Sequence, residues 1–438
     1  MKFLYRALEF AKKLLRWLTP RGARSVIKQL APFQRFYSNL EIVHTREWQE
    51  YRKLRSGLGN SQQAQGGVNI VGYLKATKGI SEAARNNALA LSSAKIPFTV
   101  NDYEAGIPKS MQVDDLPVAP DGSGFKFNTN LIHINPPQLP YLWDAFAHED
   151  LATRYTIGVW YWELPQIPNE WGPAFDLVDE VWAASDFVFR SISAKSPVPV
   201  IKIPPCVRPV YNHLLTRTDF LLPSDCFLFI CAYDMLSAQD RKNPLGAVEA
   251  FKRAFPKNDP SVGLVIKINN AQENPRGFET LMNSTTGYSN CYLLKDVYDK
   301  QKVNSLIKLG DAFISLHRSE GFGLIPAEAM SFGKPVILTK WSGNLDYMTQ
   351  ENSCGVDYKL IPATSTSGPY GAGQVWADPD IDHAAFFMKK LFSDREYYTQ
   401  IANHAKRTIE TNFSPQIVGR MIREHMTHLG LLDQYSSG

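Results

Sequence analysis

The sequence lacks the features that several classes of protein require. It contains no run of 18 or more uninterrupted apolar residues, so no segment is predicted to span a membrane as a helix. Its five cysteines form no C-x-x-C pair and show no metal-site spacing, which favours buried, reduced thiols in a cytosolic protein. Low-complexity tracts and short repeats are also missing. The chain therefore falls outside the disordered, collagen-like and small disulfide-stabilised classes.

The composition is that of a large globular protein. The 438 residues are 44% hydrophobic and 21% charged, which is enough apolar material for two or three domains with sizeable cores. The net charge is +4, but residues 1–60 carry 13 Lys and Arg against 4 Asp and Glu. The rest of the chain is therefore mildly acidic, and a nucleic-acid partner is not indicated.

The basic N-terminus has the periodicity of an amphipathic helix. On a helical wheel, the apolar side chains of residues 2–18 occupy one half and the Lys and Arg side chains the other, and Thr19-Pro20 ends the helix. Such a helix either lies in a membrane interface or packs on its own domain with a solvated basic face. Nine of the ten charges in residues 1–35 are positive, which favours an anionic membrane surface as a partner. We therefore expect a cytoplasmic protein, peripheral on the inner face of the membrane.

The remainder of the chain alternates predicted strands and helices twice. This alternation is typical of doubly wound parallel sheets, which bind ligands at the carboxyl ends of their strands. An extended, proline-rich segment at residues 203–209 separates the two halves. We predict an α/β protein with two Rossmann-like doubly wound domains that face each other across a cleft. The predicted divisions are a helical extension (1–60), an N-terminal acceptor domain (61–215), a C-terminal donor domain (216–412) and a helix that packs back on the N-terminal domain (413–438).

The richest segment is AFISLHRSEGFGLIPAEAMSFGKPVILT, residues 312–339. It reads as a strand, a glycine-containing turn, a short helix that begins at Pro326, and a second strand. Glycines 321 and 323 permit close backbone approach, and the helix directs its free N–H groups towards a diphosphate. Glu320 and Glu328 flank this turn and can accept hydrogen bonds from sugar hydroxyls.

The stretch Glu320-Gly-Phe-Gly-Leu-Ile-Pro-Ala-Glu328 resembles the E-x7-E signature of family 4 glycosyltransferases, which are retaining enzymes of the GT-B fold. The resemblance covers about residues 68–432. It implies that Glu320 contacts the transferred sugar and that Glu328 holds the nucleotide ribose. It also implies that the backbone of the turn lies beside the sugar and diphosphate, through Gly321, Phe322, Gly323 and Leu324.

Three further stretches fit the same family. Arg241 and Lys242 resemble its basic element that neutralises the donor diphosphate, although Leu236 stands where the family usually has an arginine; a surface pair is the alternative. Lys267, in a predicted strand, either approaches phosphate or extends from the strand end. The loop at Gly79 resembles the family's N-terminal glycine loop and would face the donor from the other side of the cleft.

The segment Trp160-Tyr-Trp-Glu163 resembles a subgroup linked to bacterial surface polysaccharides. We predict that Glu163 binds a sugar or the acceptor and that Trp160 and Trp162 stack on sugar faces; a structural aromatic cluster is the alternative. His133, at the end of a predicted strand, is a candidate acceptor ligand, although a structural histidine is favoured.

Gly343 and Asn344 follow the last strand of the rich segment and would form part of the donor wall. Asp378-Pro-Asp380 is a D-x-D stretch, and Asp380 reads as the start of a helix, so we expect neither a metal nor another cofactor.

Together these features predict a retaining transfer of a hexose from a nucleoside-diphosphate sugar to a saccharide or lipid-linked saccharide, with a role in surface-polysaccharide synthesis. Glu320, Glu163, Arg241 and Lys242 are the predicted catalytic residues. Two alternatives stay open. One is a sugar-nucleotide epimerase or glycan phosphorylase on a similar scaffold. The other is a catalytically inert sugar-nucleotide-binding assembly protein.

Overall fold

The computed structural model describes residues 65–76, 79–104, 119–363, 370 and 373–433. The predicted N-terminal extension, with its basic amphipathic helix, lies outside these residues. Within them, no helix is both long enough and apolar enough to cross a membrane.

The first lobe is built on a parallel sheet of six strands. The strand order is β2-β1-β3-β4-β5-β6, so the chain starts near one edge and winds outward in both directions. Its strands are β1 (Gln65–Gly72), β2 (Phe98–Asp102), β3 (Phe127–His133), β4 (Tyr155–Trp160), β5 (Glu180–Ala183) and β6 (Val200–Lys202). Its α-helices are α1 (Gly79–Ser93), α2 (His148–Ala152) and α3 (Asp186–Ser193).

The second lobe repeats this plan with the order β12-β11-β10-β7-β8-β9. Its strands are β7 (Phe227–Asp234), β8 (Val262–Asn269), β9 (Cys291–Leu294), β10 (Ala312–Ser315), β11 (Val336–Thr339) and β12 (Cys354–Val356). A separate antiparallel hairpin follows, β13 (Tyr358–Pro362) and β14 (Val375–Pro379). The α-helices are α4 (Gln239–Lys242), α5 (Pro244–Ala254), α6 (Pro275–Thr285), α7 (Lys300–Leu309), α8 (Leu324–Ser331), α9 (Ile381–Ser393), α10 (Arg395–Asn412) and α11 (Pro415–His428).

Continuous apolar runs explain why these strands are central. In β8, every residue from Val262 to Lys267 is buried, as expected when helices cover both faces of a parallel sheet. β8 pairs with β7 residue by residue from Val262 to Asn269, so the carboxyl ends of the two strands lie at the same edge. The predicted two-sheet α/β architecture is therefore confirmed, and it places the loops after β7, β10 and β11 side by side.

The chain crosses between the lobes twice, and the two crossings touch. The backbone N–H of Val207 donates to the carbonyl of Phe413 at 2.7 Å. Helix α11 then lies on the first lobe, where Arg423 donates to the carbonyl of Ala94 and His425 contacts the buried carboxylate of Glu180 at 2.8 Å. These contacts hold the C-terminal helix α11 on the first lobe, although the helix before it, α10, belongs to the second lobe.

Candidate functional site

Four charged side chains meet where strands β7 and β10 end. Lys242 Nζ lies 2.5 Å and Arg241 Nη1 3.1 Å from the same oxygen, Glu320 Oε1. Glu163 reaches over from the first lobe, with its Oε1 3.6 Å from Arg241 Nη2. The sequence placed these residues in three separate stretches, and the structure brings all four predicted catalytic residues into one cluster across the interface between the lobes.

Local backbone geometry explains how Arg241 and Lys242 reach this position. They end the short helix α4, which stops at Asn243 in the left-handed region (φ 48°). The Asn243 side chain accepts from the N–H of Gly246 to cap α5 and donates to the carbonyl of Leu316 at 2.9 Å. One side chain thus fixes the loop after β7 against the loop after β10.

The cluster holds Glu320 in its ionised form. Burial raises the pKa of this carboxyl, but the cations of Lys242 and Arg241 lower it more, to about 2. Burial lowers the pKa of the Arg241 guanidinium, whereas Glu163 and Glu320 raise it, and the net shift is upward. Both groups therefore remain charged at neutral pH in a site that is largely shielded from water.

The glycine turn is held rigidly between the lobes. The hydroxyl of Ser185, from the first lobe, donates to the carbonyl of Gly321 at 2.6 Å. Gly323 has a left-handed φ of 83°, and its carbonyl accepts from the hydroxyl of Tyr347 at 2.8 Å. The ring of Phe322 packs on Tyr347 and contributes to the core. Helix α8 begins at Leu324, two residues before the predicted start, because Gly323 already provides its N-cap.

Gly343 and Asn344 support the turn from the loop after β11. The N–H of Gly343 donates to the carbonyl of Glu320 at 2.9 Å. Asn344 Oδ1 lies 2.9 Å from His317 Nε2. This contact holds the start of the loop after β10, the loop that also contains Glu320. Both predicted donor-wall residues therefore lie beside the turn, and their contacts position the backbone that carries Glu320.

We expect Gly343→Ala to destabilise the protein, because a Cβ at this position would overlap the backbone carbonyl of Gly321. Overlap with a fixed backbone is not relieved by rotation of a side chain, so the expected cost is about 1–3 kcal/mol. Gly79→Ala is the matched control, since a Cβ there meets no atom of the described residues within 4 Å. Urea unfolding measures both variants. Equal stability of the two would show that the turn tolerates displacement.

The second acid of the signature lies in a different charge environment. Glu328, on α8, is 2% exposed, and its Oε2 lies 2.6 Å from Lys300 Nζ at the start of α7. Across the cleft, the helix that begins at Gly79 presents Glu82, which pairs with Arg85 at 2.8 Å. Glu82 lies close enough to Lys300 and Glu328 to affect their charges, so the start of α1 lies near α8. That the Gly79 loop faces the donor stays a prediction.

Four of the predicted ligands do not have the surroundings that their predicted roles require. Trp160 is fully buried and packs on Trp171 and Phe175, and Trp162 is 3% exposed and donates to the carbonyl of Gln166. The expected stacking of both rings on sugar faces is corrected, since their faces are covered by the apolar core. The aromatic-cluster alternative is what the structure shows.

His133 and Lys267 are likewise committed to the interior. His133 is fully buried next to the amide of Asn87, and burial lowers its pKa to about 3, so it is neutral. The ammonium of Lys267 donates to the carbonyls of Ile268 and Asp296 and to the amide oxygen of Asn269. These bonds use all three of its protons, and the expectation that it approaches phosphate is corrected.

The two carboxylates of the D-x-D stretch also have partners within the protein. Asp378 pairs with Arg318 at 2.8 Å, and Asp380 caps α9 by accepting from two backbone N–H groups. Among the residues that the structure describes, no group of three or more His, Cys, Asp or Glu is arranged to hold a metal ion.

Three residues of the site were not identified from the sequence. Lys300 and Glu82 surround Glu328, and Tyr370 lies near the catalytic cluster, with its hydroxyl 3.5 Å from Glu163 Oε2. Lys300 and Glu82 each occur in an ordinary first turn of a helix, and Tyr370 occurs in a loop, so no local pattern distinguished them. Only the folded chain reveals their positions, because Lys300 meets Glu328 within the second lobe and Glu82 approaches them from the first lobe.

Comparisons with known proteins agree with this geometry. Residues 235–408 match the family model of group 1 glycosyl transferases. A trehalose synthase of Rubrobacter xylanophilus is 25% identical over 190 residues, which are 42% of this chain and 39% of the relative. The chain thus matches well under half the length of that relative.

Solved structures of low sequence identity share the fold over most of the chain. The Anabaena protein HepE, crystallised with UDP and glucose, superposes with a TM-score of 0.60 at 14% identity, over 83% of this chain and 100% of the other. The sucrose-phosphate synthase of Thermosynechococcus elongatus gives 0.59 at 12% identity, over 84% and 99%. With the two α/β lobes of the chain, these findings show that it has the GT-B fold and that residues 235–408 match the group 1 glycosyl transferases.

Proposed function

We propose that the protein transfers a hexose from a nucleoside-diphosphate sugar to a hydroxyl of a saccharide or lipid-linked saccharide, with retention of configuration at the anomeric carbon. The observation that carries this proposal is the convergence of Arg241 and Lys242 on Glu320, directly before the glycine turn and α8. Cations and a helix N-terminus would meet the diphosphate, and the carboxylate would accept hydrogen bonds from the sugar.

The chemistry follows from this distribution of charge. As the bond between the anomeric carbon and the phosphate oxygen breaks, its electron pair goes to the diphosphate and the sugar becomes cationic. Arg241 and Lys242 stabilise the leaving diphosphate, and the N–H groups that begin α8 add to this effect. The acceptor oxygen then bonds to the anomeric carbon on the face that the diphosphate leaves, and its proton passes to the departing phosphate.

The positions of the acids distinguish this reaction from hydrolysis by a glycosidase. Glu320 is ionised and bound to two cations, so it cannot deliver a proton as a general acid at neutral pH. The proposal therefore uses Glu320 to hold the sugar and Glu328 to hold the ribose. It requires no metal, because fixed cations already face the diphosphate position.

The donor and acceptor follow from different observations. The complex of HepE with UDP and glucose supports a UDP-sugar as the first donor to test. The Trp160-Tyr-Trp-Glu163 segment, which resembles a subgroup linked to surface polysaccharides, supports a saccharide acceptor that belongs to such a pathway. Glu163, from the first lobe, lies beside Arg241, which also contacts Glu320.

An acceptor-dependent transfer assay tests the proposal. With a UDP-hexose and an oligosaccharide or lipid-linked acceptor, the protein is expected to release UDP only when acceptor is present and to give a product with the donor's anomeric configuration, as read by NMR. Release of UDP without acceptor, or an inverted product, would contradict it. Epimerisation of the donor without transfer would favour the sugar-nucleotide epimerase alternative.

We further propose that residues 1–35 attach the protein to anionic membranes, on the strength of their nine basic residues. Removal of these residues is expected to abolish co-sedimentation with vesicles that contain phosphatidylglycerol, while leaving nucleotide binding intact. Vesicles of neutral lipid are the control. Unchanged sedimentation of the truncated protein would refute the attachment.

A further inference from the structure

Lys300 and Glu328 form an ion pair in which the two side chains differ greatly in burial. Glu328 is almost completely buried on α8, whereas Lys300 is about one-third exposed at the first position of α7. Their polar atoms are 2.6 Å apart. Taking a carboxylate out of water is costly, so Lys300 is the group that makes an ionised Glu328 possible at this depth.

A second carboxylate approaches the same lysine from the opposite lobe. Lys300 attracts Glu82 as well as Glu328, and the two carboxylates repel each other. Glu82 is held by Arg85 through bonds of 2.8 and 3.0 Å, and Arg85 donates to the carbonyl of Leu74 near the start of the loop between β1 and α1. Charges of alternating sign therefore cross the cleft from the first lobe to the donor helix.

These charges decide the protonation of Glu328. Burial raises the pKa of its carboxyl, Lys300 lowers it, and Glu82 raises it, with a net upward shift. Behind Glu82 lie Arg85 and, more remotely, the Cys206 thiol, which is kept neutral by burial. If Lys300 is removed, the pKa of the Glu328 carboxyl rises further. The protonated carboxyl can then accept fewer hydrogen bonds.

We propose that Lys300 is a positioning residue that keeps Glu328 ionised and oriented, so that its oxygens can accept hydrogen bonds from the two hydroxyls of the donor's ribose. This inference rests on the proposed function, in which Glu328 holds the ribose. Lys300 acts through Glu328, and Glu82 sets how strongly it does so. The nucleotide affinity should therefore depend on pH. Substitution of Lys300 and substitution of Glu82 should shift this pH dependence in opposite directions.

The direction of the pH dependence follows because the ionised form of Glu328 is the form that binds the nucleotide. Affinity is full above the folded-state pKa of Glu328 and is lost as the pH falls through it. Lys300→Met raises this pKa, so the loss begins at a higher pH. Glu82→Gln removes a repelling charge and lowers it, so the loss begins at a lower pH.

Calorimetric titration of UDP, GDP, ADP and TDP between pH 5 and 8 provides the test, with the tightest binder used throughout. At pH 7, Lys300→Met is expected to weaken binding by roughly tenfold, the effect of one charge-assisted hydrogen bond. Lys300→Arg should restore most of the affinity. Lys389→Met, on the exposed face of α9, is the matched control for loss of a surface charge. Because the nucleotide's own titration is common to all variants, shifts between variants report the protein.

The outcomes separate the two claims. If Glu328→Gln weakens binding but Lys300→Met and Glu82→Gln leave the inflection where it is in the unmodified protein, the role of Lys300 is refuted and the proposed function stands. If Glu328→Gln binds as tightly as the unmodified protein, or if none of the four nucleotides binds, the role of Glu328 in the proposed function fails and the inference fails with it. Thermal unfolding of each variant identifies any loss of fold.

Discussion

Glu320→Gln is expected to lower kcat by about 10²–10³-fold while changing the affinity for the nucleotide little. Glutamine has nearly the shape of glutamate, so the turn keeps its geometry. The change removes the negative charge that meets Lys242 at 2.5 Å and Arg241 at 3.1 Å. It also halves the acceptor capacity that the sugar hydroxyls would use. The loss should therefore fall on the chemical step and not on binding of the nucleotide.

The matched control is Glu424→Gln on the outer face of α11, where the carboxylate is exposed and only distantly paired with Arg420. It should leave kcat unchanged. Steady-state kinetics with a saturating donor measure kcat, and calorimetry with the nucleoside diphosphate measures binding. A Glu320→Gln variant with full turnover would show that this carboxylate does not contact the transferring sugar.

Arg241→Met is expected to have the larger combined effect, on both stability and turnover. The guanidinium is 5% exposed, donates to the carbonyl of Ser319 at 2.9 Å and lies between Glu163 and Glu320. Its removal leaves the partly buried carboxylates of Glu163 and Glu320 with one partner fewer, which is expected to cost about 1–3 kcal/mol. It also removes one of the two cations that face the diphosphate, so kcat/KM for the donor should fall by about 10³-fold or more.

Two further variants show which of these losses belongs to catalysis. Arg241→Lys keeps the charge but loses the planar fork, so it should recover part of the stability and little of kcat/KM. Arg253→Met, on exposed α5, removes an arginine that also contacts two carboxylates and should alter neither quantity by much. Measurement of urea unfolding alongside the kinetics keeps the two effects apart. Normal donor kinetics in a folded Arg241→Met protein would contradict the assignment.

The sequence was sufficient for the architecture because each strand carries its own signal. The buried apolar runs in β8 and β10, and the glycine turn before α8, are local patterns that depend little on distant residues. The hairpin β13–β14 was not predicted, since its strands are short and β13 is mostly exposed. It carries neither the alternation nor the apolar run by which strands are recognised.

The sequence was sufficient to identify several residues of the site, but not the residues that they contact. Glu320 and Arg241 are 79 positions apart, and their contact depends on how two loops are joined by Asn243, which no spacing rule anticipates. The tryptophans were misplaced for the opposite reason. Trp160 is the last residue of β4, at the edge of the sheet where ligands often bind, yet its ring packs on Trp171 in the core.

Lys300 illustrates the limit most clearly. In the sequence it is one of several lysines in a helix that begins at residue 300, and only the fold places it against the buried carboxyl of Glu328. Contacts between separate helices arise from packing of the whole fold, so they cannot be inferred from a segment.

A crystal structure with a bound UDP-hexose, or with the nucleoside diphosphate that binds most tightly, tests the central claim most directly. The account predicts the diphosphate beside Arg241, Lys242 and the start of α8, the hexose against Glu320 and the ribose against Glu328. A nucleotide bound outside the cleft between the lobes, or bound within it with both acids more than a hydrogen bond from the ligand, would contradict the account.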